Sequence, residues 1–232
     1  MALATRVVTI AFVLSGCATS DTIVVAGASS LAEALSSIET AAEATLGLNL
    51  AIDVAGSQAH VAAIAAGSPI DVIIAADRQT LEPIESAGLI TIETAPVAFN
   101  QLAIIVETGN PLGLDTVASL TTVDRLVLAA PEVPLGRYTA NLAGAEKLRP
   151  KSWETSARQL VGRIANGEAD AGIGYVSDGA AEGVEAIPIS NSTTTYWIGV
   201  SPDRDDLGPL IAYLYGDVAQ TAFEEAGLRR SS

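Results

Sequence analysis

Apolar runs of strand length alternate with segments of helical periodicity along most of this chain. Thr22-Ile23-Val24-Val25-Ala26 reads as a buried strand, and beyond Gly27-Ala28-Ser29-Ser30 the apolar positions of Leu31 to Leu35 fall at helical spacing. A second strand is expected from about Leu48 to Val54. Gly56-Ser57-Gln58 then opens a helix running to about Ala66, stopped by Gly67-Ser68-Pro69. Asp71 to Ala75 reads as a third strand and Thr80 to Ala87 as another helix. Ala98 to Val106 is a long strand-like stretch, followed by the turn-rich Glu107-Thr108-Gly109-Asn110-Pro111. Beyond it, Leu126 to Ala130 and Ala171 to Tyr175 read as strands, and helices are expected near Arg137, from Ser156 to Asn166 and from Ser177. Thr194 to Val200 forms a returning strand, and helices around Leu207–Tyr215 and Val218–Ala226 finish the chain.

Strands alternating with helices imply an α/β fold whose mostly parallel sheets are covered by helices on both faces. The turn-rich passage near residue 107 and the returning strand near 196 divide the chain into two lobes. The first comprises 22–102 and 196–232, the second 103–195. A cleft between them would gather strand ends and helix starts.

Composition narrows the function. The chain has 232 residues, of which 49% are hydrophobic and 17% charged, as expected of a globular protein. Twelve basic residues against 27 acidic ones leave a formal charge of −15, which argues against a basic face for nucleic acid or anionic lipid. The same charge would repel an anionic ligand in bulk, so any anion site must act through local dipoles.

The N-terminus carries its own signal. Arg6 precedes the apolar run Val7 to Leu14, too short to span a bilayer and laid out as a signal peptide. Leu14-Ser15-Gly16-Cys17 resembles a bacterial lipobox. Residues 1–17 are therefore expected to be a lipoprotein signal peptide ending at a lipidated Cys17; the alternative is an ordinary secretory peptide with an incidental cysteine. Cys17 is the only cysteine, so the mature chain has no disulfide. A diacylated cysteine would supply the two chains that stable anchoring requires, placing the protein outside the cytoplasmic membrane.

Four loop-to-helix junctions could carry chemistry: Ser29-Ser30, Ser57-Gln58, Pro134-Leu135-Gly136 and Ser156-Ala157. Tyr175, at a strand end before Ser177-Asp178, is a fifth element. Helix starts expose unpaired N–H groups and partial positive charge, so several aimed at one point bind an anion without a full cation. Serine and tyrosine hydroxyls add donors. Each junction alone reads more readily as ordinary capping, and Tyr175 alone as a partly buried core residue.

The motifs taken in order resemble the periplasmic molybdate-binding proteins, the substrate-binding subunits of molybdate ABC transporters. Val25-Ala26-Gly27-Ala28-Ser29-Ser30-Leu31 looks like that family's first strand-to-helix turn, with its ligand serine just before the leucine. Ala55-Gly56-Ser57-Gln58 and the following Gly67-Ser68-Pro69-Ile70-Asp71-Val72 are similar to its second serine site and "GxPxDvf" element. Ala75-Ala76-Asp77 matches "SAD", and Asn100 to Val106 is similar to the "NxLvlv" crossing segment. Val133 to Tyr138 resembles "VPAGxYA", and Gly167 to Asp178 is close to "GEADxGiVYxtD". These cover nearly all of the mature chain.

The resemblance implies a two-lobe, type II periplasmic-binding-protein fold and a binding protein, not an enzyme. It further implies molybdate, and tungstate with it, as the ligand. Ser30 and Ser57 would donate from the first lobe, and Leu135, Ala157 and Tyr175 from the second. Neither a cofactor nor a direct metal ligand is implied, since the metal would arrive as its oxyanion. The partners would be an ABC permease and ATPase, with the lipid anchor in the membrane and the protein a monomer. Leu135 stands where the family usually has Ala, Ala157 where a larger aliphatic is common, and Gln58 where a serine is usual. The first two swaps keep main-chain donors and alter only cavity size.

Three readings remain to be separated: an oxyanion receptor, including one for sulfate or tungstate alone; a secreted lipoprotein hydrolase; and an adhesion lipoprotein. A hydrolase is disfavoured because Ser30 and Ser57 lack a His base and neither sits in a Gly-x-Ser-x-Gly elbow. His60, the only histidine, is expected on a helix surface or between lobes. Asp71 and Asp77 are expected to bond nearby backbone, and Trp153 and Trp197 to pack. Arg137 and Arg158, beside two site positions, could add attraction.

Overall fold

The computed structural model describes residues 22–231; the expected signal peptide and Cys17 lie outside them. The first half of the chain forms β1 (Ile23–Ala28), α1 (Ala32–Leu46), β2 (Leu50–Ala55), α2 (Ser57–Ala65), β3 (Val72–Ala75), α3 (Glu82–Ser86), β4 (Thr91–Ile92) and β5 (Ala98–Glu107). Then follow β6 (Leu126–Ala129), α4 (Pro134–Ala140), β7 (Ser152–Glu154), α5 (Ala157–Ala165) and β8 (Ala171–Tyr175). Last come β9 (Val184–Val200), α6 (Gly208–Tyr215), α7 (Asp217–Glu225) and β10 (Arg229–Arg230).

Helix α1 shows how pattern becomes packing. Ala34, Leu35, Ile38 and Ala42 recur at three- and four-residue spacing and are the helix's buried positions. They join Ile23 and Val25 of β1 and Phe223 of α7 in one core. Gly47 ends the helix in the left-handed conformation, its N–H returning to the Glu43 carbonyl.

The main strand path runs β2-β1-β3-β9-β5-β8-β6-β7. At one end β2, β1 and β3 are parallel; at the other, β7, β6 and β8 are parallel. Between them the long strands β5 and β9 pair antiparallel. One hydrophobic core draws its buried members from residues 102–184. Two more draw theirs from residues 23–98 and 196–228 on the other side. This is an α/β fold of two lobes, with β5 and β9 passing from one to the other.

Strand β9 begins ten residues before the expected returning strand at Thr194. Pro188 and Ser190-Asn191-Ser192 obscure its pattern, and they fall where the β5–β9 register shifts between Gln101 and Ala103. Asn191 there takes a positive φ of 56°. Gln101 Nε2 donates to the Ile189 carbonyl at 2.7 Å, fixing the irregular segment.

Two other expectations are corrected. His60 is on neither surface: it is buried, its Nε2 accepting the Ala55 N–H at 3.0 Å and lying 3.1 Å from the Gly27 carbonyl. Trp153 does not pack inside; it is 54% exposed on the edge strand β7. Asp71 and Asp77 do bond nearby backbone, accepting the N–H groups of Val24 and Thr80 at 2.8 Å each.

Candidate functional site

Five chain segments distant in sequence meet at one tight cavity of about 10 Å³, far below the roughly 300–1,000 Å³ of sites for organic ligands. Ser30 reaches it from the 3-10 turn after β1, Ser57 from the first residue of α2, and Leu135 from the first turn of α4. Ala157 opens α5, and Tyr175 ends β8. All five expected site residues therefore line the same space. Ser29, Ser156 and Ala76 complete part of its wall.

Close approach of these turns depends on small residues. Gly136 lies so near the end of β6 that a Cβ would stand 2.0 Å from the Ala130 carbonyl oxygen, so only glycine lets α4 begin there. Gly56 faces the other lobe: its Cβ would meet the Thr155 carbonyl oxygen at 2.9 Å.

The serines divide by role. Ser156 caps α5 in the ordinary way, its hydroxyl accepting the Gln159 N–H at 3.2 Å. Ser30 and Ser57 do not cap. Ser57 Oγ instead accepts the Ala76 N–H at 3.2 Å, which leaves its own proton to donate. Ser30 Oγ lies 2.7 Å from the Tyr196 hydroxyl. The leading N–H groups of α2, α4 and α5 precede the first i−4 carbonyl of their helices and bring partial positive charge to the cavity wall.

Tyr175 is the unusual member. Four buried side-chain polar atoms among the described residues have no hydrogen-bond partner, and only the Tyr175 hydroxyl belongs to a cavity-lining residue. A buried donor left unpaired is costly, and a group entering the cavity could satisfy this one. Burial, with the neighbouring Tyr196 and Tyr138, pushes its phenol well above the usual range and keeps the proton in place.

Among the described residues no lysine, arginine, aspartate or glutamate lines this cavity. Arg137 points elsewhere: its Nη2 and Nε donate to Asp77 Oδ2 at 2.6 and 2.9 Å, and it also bonds Thr80 Oγ1. Arg158 is exposed and, with Ser29, lines both larger depressions flanking the cavity. Gln58 donates across the cleft to the Thr155 carbonyl at 2.5 Å. The arrangement is thus a pocket of neutral donors, suited to an acceptor-only anion.

Sequence reasoning missed the polar support behind the pocket. Asn100 and Tyr196 are 1% and 0% exposed and join Ser30 to Ser177 through hydrogen bonds. A polar residue amid the apolar run of β5 was the available signal; its partner on β9 was hidden by the unrecognised pairing.

Comparison with known proteins bears on this geometry. A family model described as bacterial extracellular solute-binding protein matches residues 23–229. The molybdate-binding protein ModA of Mycobacterium tuberculosis is 32% identical over 160 residues, which are 67% of this chain and 61% of that protein. The chain thus spans less than two thirds of that relative's length. Among solved structures, the sulfate-binding protein SubI from Mycobacterium tuberculosis H37Rv superposes with a TM-score of 0.81 at 16% identity, covering 91% of this chain and 87% of that one. The Azotobacter vinelandii periplasmic molybdate-binding protein gives 0.72 at 16% identity, over 90% of this chain and all of that one. At such identities the structural likeness is one of fold.

Proposed function

The chain belongs to the bacterial extracellular solute-binding proteins, and from that premise we propose that it captures molybdate, and tungstate with it, for an ABC importer. The observation that carries this reading is the cavity lined by neutral donors, with the partnerless Tyr175 hydroxyl among them. A desolvated dianion needs several hydrogen bonds to replace its lost hydration. Hydroxyls of Ser30, Ser57 and Tyr175 and main-chain N–H groups at Leu135 and Ala157 are the proposed donors. Hydrogen phosphate carries a proton that would face donors only. Sulfate carries none but is smaller, which leaves the donors too far apart.

The lobes are proposed to be 22–102 with 196–232, and 103–195, closing on the ligand and presenting it as a monomer to a permease and its ATPase. Among the described residues no helix is long and apolar enough to cross a membrane. Attachment is proposed through diacylated Cys17, and the mass of the mature N-terminal peptide tests it: an unmodified cysteine there contradicts the anchor.

Thermal melting tests the ligand. A ligand bound only by the folded state stabilises it by about 2.7 kcal/mol at a hundredfold excess over its dissociation constant. Molybdate and tungstate should raise the melting temperature and equimolar sulfate should not; no change in millimolar molybdate contradicts the reading.

A further inference from the structure

We infer that Tyr196, oriented by Asn100, is a specificity-determining residue that compels the Ser30 hydroxyl to donate into the cavity. The inference rests on the oxyanion-binding reading above and adds a residue pair outside the cavity wall.

A serine hydroxyl is ordinarily free to give or to accept a hydrogen bond. Ser30 is not free, because the groups behind it have fixed polarity. Asn100 Oδ1 accepts the Gln101 N–H at 2.9 Å, which settles which end of the amide is oxygen. Its Nδ2 then donates to Ser177 Oγ at 2.8 Å and to the Tyr196 hydroxyl at 3.3 Å. The tyrosine oxygen therefore already accepts a bond, from a group that can only donate. Among the described residues its single proton has one acceptor within reach, Ser30 Oγ at 2.7 Å.

If the bond ran the other way, the phenol proton would be buried without an acceptor, since Tyr196 is 0% exposed. Burial also raises its ionisation above the normal range, so the proton stays. With Tyr196 donating, the Ser30 proton is left for the cavity. The Tyr196 ring lies 6.3 Å from that of Tyr175, so it supports a second cavity hydroxyl by packing.

The consequence is discrimination. A ligand oxygen without a proton meets a donor at Ser30; a ligand O–H meets no acceptor there. Tyr196→Phe keeps the ring and releases Ser30 to rotate and accept. Calorimetry at pH 8, where phosphate is mainly the monoprotonated dianion, would compare molybdate with phosphate for the wild type, Tyr196→Phe, Ser30→Ala and the double variant. Tyr196→Phe should weaken molybdate about tenfold while phosphate is unchanged or tighter, narrowing their ratio. In the Ser30→Ala background the same substitution should leave the ratio unmoved, because Tyr196 acts through Ser30.

A Tyr196→Phe variant that weakens both anions equally, or narrows the ratio equally without Ser30, overturns the inference while leaving molybdate binding intact. A wild type that binds neither anion overturns the functional reading and this inference with it. A neutron structure of the wild-type molybdate complex supplies a readout independent of any variant's folding. The deuteron between the two hydroxyls should sit on the tyrosine oxygen; on Ser30 Oγ it refutes the polarity.

Discussion

Ser57 and Tyr175 differ in what each does before a ligand arrives. Ser57 Oγ already holds the Ala76 N–H, so Ser57→Ala should cost roughly 1–3 kcal/mol of stability as well as its bond to the anion. Tyr175→Phe removes a hydroxyl that has no partner and should leave stability unchanged or slightly raised. Each variant should lose its proposed hydrogen bond to a charged acceptor, worth about 1.5–3 kcal/mol, or roughly ten- to a hundredfold in affinity. Melting curves and molybdate titrations of the two variants check this; full affinity in Tyr175→Phe removes that residue from the site. Asp178 carries a separate expectation. Burial pushes its carboxyl from 3.8 up to about 7, against the opposing Tyr175 N–H, with Glu33 adding repulsion. Between those values the folded chain holds more protons than the unfolded one, so this group's stability contribution is present below about pH 4 and lost as pH rises to 7. Asp178→Asn should be more stable than wild type at pH 8 and lose that advantage at pH 4, by melting at both. At this scale the loop-to-helix junctions were legible as local features, while the family resemblance singled out Ser30, Ser57, Leu135, Ala157 and Tyr175. Asn100 and Tyr196 were not, since their meaning depends on which strands lie side by side.

Elements show the same division. Apolar runs and helical spacing located β1, β3, β5, β6, β8 and most helices to within a residue or two, because each is decided by its own burial pattern. The two-residue strands β4 and β10 carry too little pattern to see, and the first half of β9 was concealed by Pro188 and the bulge. Contacts between elements were also invisible, and the ion pair between α4 and the turn after β3 is the clearest case. Arg137 spans the cleft to Asp77 and Thr80, tying the starts of α4 and α3 together when the lobes are closed. Arg137 is 24% exposed and Asp77 9%, so solvent screens the pair in part and about 1 kcal/mol is a fair magnitude. A closed state made less populated lowers apparent affinity in proportion. Arg137→Ala should therefore weaken molybdate binding about fivefold and reduce the compaction of the unliganded protein in X-ray scattering. Unchanged affinity and scattering would show that the pair does not favour closure.

Taken whole, a formal charge of −15 is compatible with the proposed anion site because the attraction would be confined to a few oriented dipoles inside a small cavity. Long-range charge then opposes encounter, and short-range donors provide the binding. Added salt should screen that repulsion without weakening the enclosed hydrogen bonds. The two-lobe fold itself was readable from strand and helix alternation, whereas the closeness of the lobes was not, being a matter of packing at Gly56, Gln58 and Arg137. The most direct test of the account is isothermal titration of the purified protein with molybdate, tungstate, sulfate and phosphate under one set of conditions. One site per chain, tight for molybdate and tungstate and at least a hundredfold weaker for sulfate and phosphate, is the predicted result. Sulfate binding as tightly as molybdate would contradict the assigned ligand, and no heat from any of the four would contradict an oxyanion site altogether.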